Sequence, residues 1–490
     1  MLNRYLIYLF TIIFEKKIYL STKIKIMKKT VFLLSILISL SGSQIFAQIN
    51  TINFSDYKLP DLKRQTFDFS YNLQNFYNNI NYTDSSVAKN QNSNFNLINV
   101  FTPRYTYYKN TRKYQGYQYG RLKINNNLSS IKILSDSSSN TQRTNLFTNS
   151  FRINSSNRFY FKEKYFWGAG LDLEINHMSD IKKTFSDNDN VKNINNSFQT
   201  QVSLPLSIGK GRIEPVTDYV HSIYIINNLE KEGRLERNLK TGELIKLTEL
   251  ISEVKNERFF DSRLKKIYEL EKIDSFLNTN NLISDKDAVY FTTLYDNWEF
   301  AGNQYRYSGN RIYFYVSPQY TGGNYLSSNE TDTIYNKNRR ILLETGVNFS
   351  VYKNLNLFWQ RHFDINIGTS AMEYLTYSDS INFHQRGKKI YTTINYGYKW
   401  YPNTRTNFNF YFSPAYAYTL YDTVFPENGK SGDHNFTLNL NISGYYYFSP
   451  RLRFSINFYP QYNYYSSSKN LSKNKQLDYN LFAGFQYSLF

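Results

Sequence analysis

The segment 452–464 alternates between two kinds of side chain. Its even positions are leucine, phenylalanine, isoleucine, proline or tyrosine, and its odd positions are mostly polar or charged. Because successive side chains of a strand point to opposite faces, this alternation predicts a long strand with one apolar face. A transmembrane β-barrel needs such strands, since its outer face meets lipid and its inner face lines a polar lumen.

The same pattern recurs along most of the chain. It predicts an all-β transmembrane fold, a closed antiparallel up-and-down β-barrel of about 14 strands that carries an α-helical insertion. The predicted strands span residues 66–77, 95–108, 117–134, 146–153, 159–175, 198–208, 311–320, 341–351, 355–367, 390–400, 407–420, 435–448, 451–464 and 477–489. In the strand 159–175 the apolar positions are odd, and only Glu163 interrupts them.

The predicted connections alternate in length. Short ones, such as 109–113, alternate with long polar ones, such as 177–197. Outer-membrane barrels have short periplasmic turns and longer external loops, so the alternation also predicts which end of each strand faces the periplasm. The predicted divisions are a periplasmic segment 48–65, barrel strands in 66–213 and 303–490, and an insert in 214–302.

The insert 214–302 has a different pattern from the rest of the chain. Two apolar runs follow helical spacing, one in 244–254 and one in 264–277, and residues 284–287 predict the cap of a further helix. The insert carries 17 acidic and 12 basic residues, although the whole chain has a formal charge of +19. We therefore expect periplasmic helices that either plug the lumen or hang below it and bind a periplasmic protein.

Composition alone would suggest another class of protein. Hydrophobic residues make up 41% of the chain and the mean hydropathy is −0.56, values that favour a soluble protein. Barrel strands place apolar side chains among polar ones, so a membrane barrel is compatible with the same values. The alternative is an aromatic-rich soluble β-sandwich, whose strands would be shorter. The chain has no cysteine, which excludes disulfides and thiolate metal sites.

The N-terminal region contains a secretory signal. Residues 27–47 have a basic start, an apolar run and a small-residue exit, which predicts cleavage between Ala47 and Gln48. Residues 1–26 lie upstream and are interpreted as a mis-assigned extension, the alternative being an N-terminal membrane anchor. No later stretch has about eighteen uninterrupted apolar residues, so no transmembrane helix is predicted.

The signal and the strand pattern together resemble Gram-negative outer-membrane β-barrel proteins of the porin-like kind. The resemblance covers residues 27–47 and about 66–490, apart from the insert. It implies outer-membrane localisation, contact with lipid and lipopolysaccharide, and insertion by the barrel-assembly machinery, with Tyr487, Leu489 and Phe490 as the terminal assembly signal. The apolar positions of the last predicted strand are odd, one residue out of phase with Phe490.

The polar positions of the predicted strands provide candidate lumen-facing residues. Charges inside a pore set its ion selectivity, and the alternative is that they form ion pairs that only fill the lumen. The candidates are Lys162, Lys164, Asp172, Glu174, His362, Asp364, Arg451 and Arg453.

The net charge of +19 is compatible with anionic solutes or an anionic membrane surface. The charges are scattered and form no known motif, which argues against nucleic acid. The first hypothesis is a channel or porin that passes a small or anionic solute. The alternatives are a non-conducting anchor whose insert binds an envelope or secretion partner, and an outer-membrane hydrolase that uses His177 or His434 beside external loops. No catalytic motif, metal site or cofactor is predicted.

Overall fold

A computed structural model describes most of the chain that follows the predicted signal. The described residues are 54, 57–58, 60–83, 89–135, 138–187, 190–257, 262–329, 331–378, 382–425, 429–468 and 472–487. The predicted cleavage site at Ala47 and Gln48, and the terminal residues Leu489 and Phe490, lie outside the described residues.

Fifteen strands form one antiparallel sheet within the described residues. They are β1 (Leu62–Thr83), β2 (Lys89–Asn110), β3 (Tyr114–Ser135), β4 (Ser138–Phe161), β5 (Tyr165–Ser186), β6 (Asn190–Ser203), β7 (Leu206–Pro215), β8 (Tyr307–Ser328), β9 (Thr333–Asn354), β10 (Trp359–Ser378), β11 (Phe383–Asn403), β12 (Thr406–Phe425), β13 (Gly429–Tyr447), β14 (Leu452–Ser467) and β15 (Lys473–Tyr487). The all-β barrel with a helical insertion is thereby confirmed.

Strands β6 and β7 share one position in the sheet. Both pair with β5 on one side and with β8 on the other, so the ladder has 14 positions although it has 15 strands. The interruption falls at Leu204 and Pro205, because proline has no N–H to give to the ladder. The predicted strand 198–208 is therefore two strands that follow each other.

The two ends of the ladder are β1 and β15. The described residues contain no backbone pair between these two strands. Both are exposed at nearly every described position, on both faces, whereas strands inside the ladder are mostly half-buried. Pairing of β1 with β15 would complete the ring of 14 positions.

The long loops predicted from polar composition are largely strand. Strands β1 to β5 and β8 to β12 have 20 to 24 residues each, whereas about 9 to 11 tilted residues cross a bilayer. The predicted loop 177–197, for example, lies almost entirely in β5 and β6. Apolar alternation ends where lipid contact would end, but backbone pairing continues, so hydropathy underestimates strand length.

The predicted strand 159–175 is also wrong, because it contains a hairpin. Strand β4 ends at Phe161, β5 begins at Tyr165, and the turn between them places Lys162 (φ 49) and Glu163 (φ 59) in the left-handed region. The turn has no glycine, asparagine or proline to signal it. Its three residues also keep the odd positions on the same face before and after the turn, so the alternation continues without a break.

Four helices follow β7, and we refer to them as the helical unit. They are α1 (Thr217–Lys231), α2 (Thr241–Val254), α3 (Ser262–Thr279) and α4 (Ala288–Ala301). The helical runs in 244–254 and 264–277 are confirmed, and Asp287 caps α4 by accepting a hydrogen bond from the Tyr290 backbone N–H at 2.9 Å. Residues from all four helices, including Ile225, Leu247, Ile273 and Leu294, share one apolar core. Among the described residues, no helix is long and apolar enough to cross a membrane.

Candidate functional site

The helical unit lies at one end of the sheet, which we call the short-turn end. The turns 111–113, 162–164, 355–358, 404–405 and 448–451 lie at this end, where β7 leads into α1 and α4 leads back to β8. The unit contacts β1 through Arg64 and β13 through Tyr447. Since β1 and β13 are far apart along the ladder, the sheet must curve around the helices for both contacts to form.

Asp218, at the start of α1, is the centre of the contact with β1. Its carboxylate accepts hydrogen bonds from Lys255 Nζ at 2.8 Å and Ser252 Oγ at 2.7 Å, and Arg64 approaches it at 3.5 Å. Burial opposes ionisation of this carboxyl, but Lys255, Ser252 and Arg64 outweigh that effect and lower its pKa from 3.8 to about 2. Asn256 of the same helical unit also accepts a hydrogen bond from Arg64 at 2.8 Å.

A second contact joins the helical unit to the turn between β11 and β12. Arg405 in this turn forms an ion pair with Asp296 of α4, and its guanidinium lies 4.5 Å from the ring centroid of Phe300. The Phe300 ring in turn packs against Tyr447 with 5.5 Å between centroids. Cations from the sheet thus meet carboxylates from the helical unit on two sides.

Three other cations lie on the inner face of the sheet and have no such partner. Arg158 of β4, Arg311 of β8 and Lys399 of β11 line cavities between the sheet and the helical unit or beside it. None of them makes an ion pair with any described carboxylate. Arg158 and Arg311 line the same cavity, so the inner face concentrates positive charge here.

Arg306 is a fourth unpaired cation, and it is fully buried. It lies in the link from α4 to β8, with its guanidinium stacked 3.9 Å from the ring centroid of Tyr401. One of its nitrogens reaches Gln304 at 3.3 Å and Tyr224 at 3.5 Å, while Nε and Nη1 have no described partner. Burial lowers the pKa of Arg306.

Glycines shape the wall where Arg311 lies. Gly211 of β7 is the ladder partner of Arg311 and has a φ of 98°, a conformation that favours glycine. A Cβ atom at Gly211 would also clash with the carbonyl oxygen of Asn310. The close approach of β7 to β8 at this point therefore requires glycine.

Two cavities adjoin these cations. The larger, about 1060 Å³, lies between the helical unit and the inner face, and Arg64, Arg158 and Arg311 line it. The smaller, about 650 Å³, is lined by Lys399 and His362. Tyr307 and Tyr352 border both cavities, with 5.5 Å between their ring centroids.

Five of the sequence-predicted site residues lie within strands. Asp172 is on β5, within 3.7 Å of Arg152 across the ladder, and Glu174 accepts a hydrogen bond from Asn176 at 3.1 Å. His362 stacks on Tyr352 with 4.3 Å between centroids. These residues share the inner face with Arg158 and Arg311 because their register positions have the same parity along the ladder.

The other two strand residues also have partners on the inner face. Asp364 accepts hydrogen bonds from Ser350 and from Asn348. Arg453 donates to Gln486 at 2.6 Å and lies over the Tyr445 ring. A role of these five residues in solute passage stays a prediction.

The strand placement of Lys162, Lys164 and Arg451 is wrong. Lys162 and Lys164 lie in the exposed turn between β4 and β5. Arg451 lies in the exposed turn before β14. All three are therefore at the short-turn end of the sheet and not along its inner face.

The two histidines of the hydrolase hypothesis lie in strands and not in or beside loops. His177 is in the middle of β5, and His434 is in β13, where its Nδ1 lies 2.9 Å from the Tyr416 hydroxyl. Among the described residues, no group of three or more histidine or carboxylate side chains is placed to hold a metal ion.

Sequence reasoning missed the four unpaired cations and Asp218. Arg158 lies one residue before a predicted strand, and Arg306 lies in a link with no pattern of its own. Arg311 and Lys399 lie in predicted strands, but the sequence does not show that they lack carboxylate partners. Whether a cation has a carboxylate partner depends on which distant segments the fold brings beside it.

No family model and no curated protein matches the chain. Among solved structures, the translocator domain of autotransporter NalP from Neisseria meningitidis is 7% identical, with 78% of this chain and 90% of that chain covered and a TM-score of 0.24. The transport unit of the autotransporter AIDA-I from Escherichia coli is 8% identical, with 93% and 97% covered and a TM-score of 0.23. The ferric yersiniabactin uptake receptor FyuA from Yersinia pestis is 7% identical, with 86% and 73% covered and a TM-score of 0.29.

The strand ladder itself shows the fold: a large all-β barrel with a helical insertion, consistent with an outer-membrane β-barrel protein.

Proposed function

We propose that this chain is an outer-membrane channel for small solutes and that its helical unit plugs the lumen at the short-turn end. The observation that carries the proposal is the span of the plug. One compact group of helices contacts β1 through Arg64, the β9–β10 turn through Leu357, and β13 through Tyr447. A free-hanging domain needs no contacts with opposite parts of the wall, whereas a plug does.

The outer surface supports placement in a membrane. Outward positions of β1, β8 and β9 carry exposed aromatic and aliphatic side chains, among them Phe69, Phe314 and Leu343. Three of the four tryptophans lie near the short-turn end on outward positions: Trp167, Trp359 and Trp400. Trp359 and Trp400 stack with 5.6 Å between centroids. An aromatic girdle of this kind marks the interface between lipid and water in membrane barrels.

Charge complementarity supports a seated plug. Residues 214–302 carry 17 acidic and 12 basic residues, so the remainder of the chain has a formal charge of +24, or +18 without residues 1–47. In the ion pairs that join the two parts, the cation also comes from the sheet and the carboxylate from the helices. Arg64 and Arg405 belong to the sheet, and Asp218 and Asp296 belong to the helices. The sheet thus attracts the helical unit, and weakening of these pairs is expected to open the lumen.

Uptake of a small sugar into proteoliposomes tests the proposal. We expect slow uptake through the wild-type protein and faster uptake through an Asp218→Asn variant, because the loss of this charge leaves the half-buried Lys255 without its carboxylate partner. Asp285→Asn is the matched control, since Asp285 is exposed on the helical unit and makes no described ion pair. Equal uptake through all three proteins, each shown to be folded, would contradict a gating plug and favour a barrel that only anchors the helices.

A further inference from the structure

The larger cavity is lined by carboxylates that have cation partners and by cations that have no carboxylate partner. On the helical side its carboxylates are Asp218, Glu269 and Glu299, and each has a cation of its own: Lys255, Lys265 and Lys266 respectively. Glu269 also accepts a hydrogen bond from the Trp298 ring N–H at 2.9 Å. These carboxylates are therefore already compensated by groups of the helical unit.

On the sheet side the cavity has two cations without compensation. Arg158 and Arg311 both line it, and neither makes a described ion pair. Both side chains are half-buried, and the Nε atom of Arg311 is buried and has no hydrogen-bond partner among the described residues. A half-buried cation that lacks a partner loses part of its hydration without gaining an opposite charge.

The charge behind this wall has the same sign. Arg306 is fully buried with two unpartnered nitrogens, and Lys399 lines the smaller cavity. Arg158 and Arg311, which line one cavity, raise the positive potential there more than either cation would alone. A monovalent anion would compensate only one of them.

We propose that the larger cavity is a binding site for the phosphate group of a small organic solute, held between Arg158 and Arg311. A guanidinium presents a planar set of donors that matches the oxygens of phosphate, and a phosphate monoester carries close to two negative charges near neutral pH. The cavity of about 1060 Å³ leaves room for an organic part beside the phosphate. Tyr117, Tyr307 and Tyr352 line the same space and supply hydroxyl groups and ring faces for it.

This inference rests on the proposed function for the route by which the solute arrives, but binding can be measured without any flux. Calorimetric titration of the full chain in detergent at pH 8, with inorganic phosphate and with glycerol phosphate as separate probes, tests it directly. We expect saturable binding of both probes and tighter binding of the ester. Equal affinity would identify free phosphate as the ligand and overturn the organic part of the proposal. Absence of saturable binding of either probe would overturn the site.

Substitutions identify the site within the barrel. Arg158→Gln and Arg311→Gln are each expected to weaken phosphate binding about ten-fold or more, the loss that corresponds to one charge-assisted hydrogen-bonded pair. Arg152→Gln is the matched control, because Arg152 lies on the same strand and face as Arg158 but already has Asp172 as its partner. It should bind phosphate as the wild type does.

Arg311→Lys keeps the charge if Arg311→Gln does not fold. We expect it to weaken binding by less than the glutamine variant, since lysine lacks the planar set of donors. Unchanged affinity in the Arg158 and Arg311 variants, or an equal loss in Arg152→Gln, would overturn the assignment. Phosphate binding in a protein that shows no solute uptake would leave the site standing and contradict only the channel.

Discussion

The short-turn end and the inner face of this barrel both concentrate cations, but they treat them differently. Where the helical unit meets the sheet, Arg64 and Arg405 face Asp218 and Asp296. On the inner face, Arg158 and Arg311 form no ion pair with a carboxylate among the described residues. In the first region the cations have carboxylate partners, so they can hold the helical unit against the sheet. In the second region the cations have no such partners, so they can bind an anionic ligand.

Paired and unpaired cations are expected to contribute differently to the stability of the fold. A paired buried charge contributes to folding only while its partner is present, and removal of one partner costs the most. An unpaired buried charge already carries its cost, so its removal should cost little or relieve strain on the fold. The same chemical change, from a cation to methionine, should therefore destabilise the fold much more at a paired cation than at an unpaired one.

The largest effect is expected for Lys255→Met. This change leaves Asp218 buried with Arg64 as its remaining cation, at 3.5 Å and partly exposed. We expect the local stability of α1 and α2 to fall by up to about 3 kcal/mol, the low end of the range for breaking a buried pair, because Arg64 and Ser252 still contact Asp218. Hydrogen exchange of the α1 and α2 amides measures this loss, with strand amides as an internal control. Unchanged exchange would show that the pair does not hold the helices.

Acid should produce a smaller loss at the same contact. The pKa of Asp218 is about 2 in the folded chain and 3.8 in its ordinary state. Because the folded value is the lower one, the stabilisation is complete above pH 4 and is lost as the pH falls toward 2, to a total of about 2 kcal/mol. The protection factors of the α1 amides, which correct for the slower intrinsic exchange in acid, should fall between pH 5 and pH 2.5. In Asp218→Asn this fall should be absent.

Arg306→Met is the counterpart of Lys255→Met at a buried cation that has no carboxylate partner. Methionine removes the buried charge but also the stacking on Tyr401 at 3.9 Å, an interaction that contributes up to about 2 kcal/mol when desolvated. We expect these two effects to offset each other and stability to stay within about 1 kcal/mol of wild type. Thermal unfolding followed by circular dichroism checks this. A loss as large as that of Lys255→Met would remove the distinction between the regions.

The smallest effect is expected for the pair of Arg405 and Asp296. Both side chains are about one-third exposed, at 34% and 38%, so solvent weakens their attraction. A double-mutant cycle with Arg405→Ala and Asp296→Ala should give a coupling energy of at most about 1 kcal/mol, and 1 M salt should reduce it. A coupling of several kcal/mol would move the main contact of the plug from β1 to this turn.

Sequence alternation was sufficient for the architecture but not for the site. It predicted the antiparallel barrel and the helices near Leu247 and Ile273, since both depend on local periodicity. It missed the hairpin at Lys162 because the turn preserves the register, and it mistook the polar halves of β5 and β6 for a loop. Contacts between distant segments are not local: the sequence does not show that Asp218 contacts Arg64, or that Arg158 and Arg311 line one cavity, because the fold brings these residues together from positions far apart in the chain.

The single-channel current of a chain without its helical unit tests the central claim most directly. Val216 donates a backbone hydrogen bond to Arg306 at 2.9 Å, so a short glycine–serine linker can replace the chain between them and leave the barrel ends in place. We predict rare or no openings for the full chain in a planar bilayer, and large, lasting steps once the helices are removed. Absence of steps from the shortened chain, with its strand content intact by circular dichroism, would contradict the claim that the helices plug an open lumen.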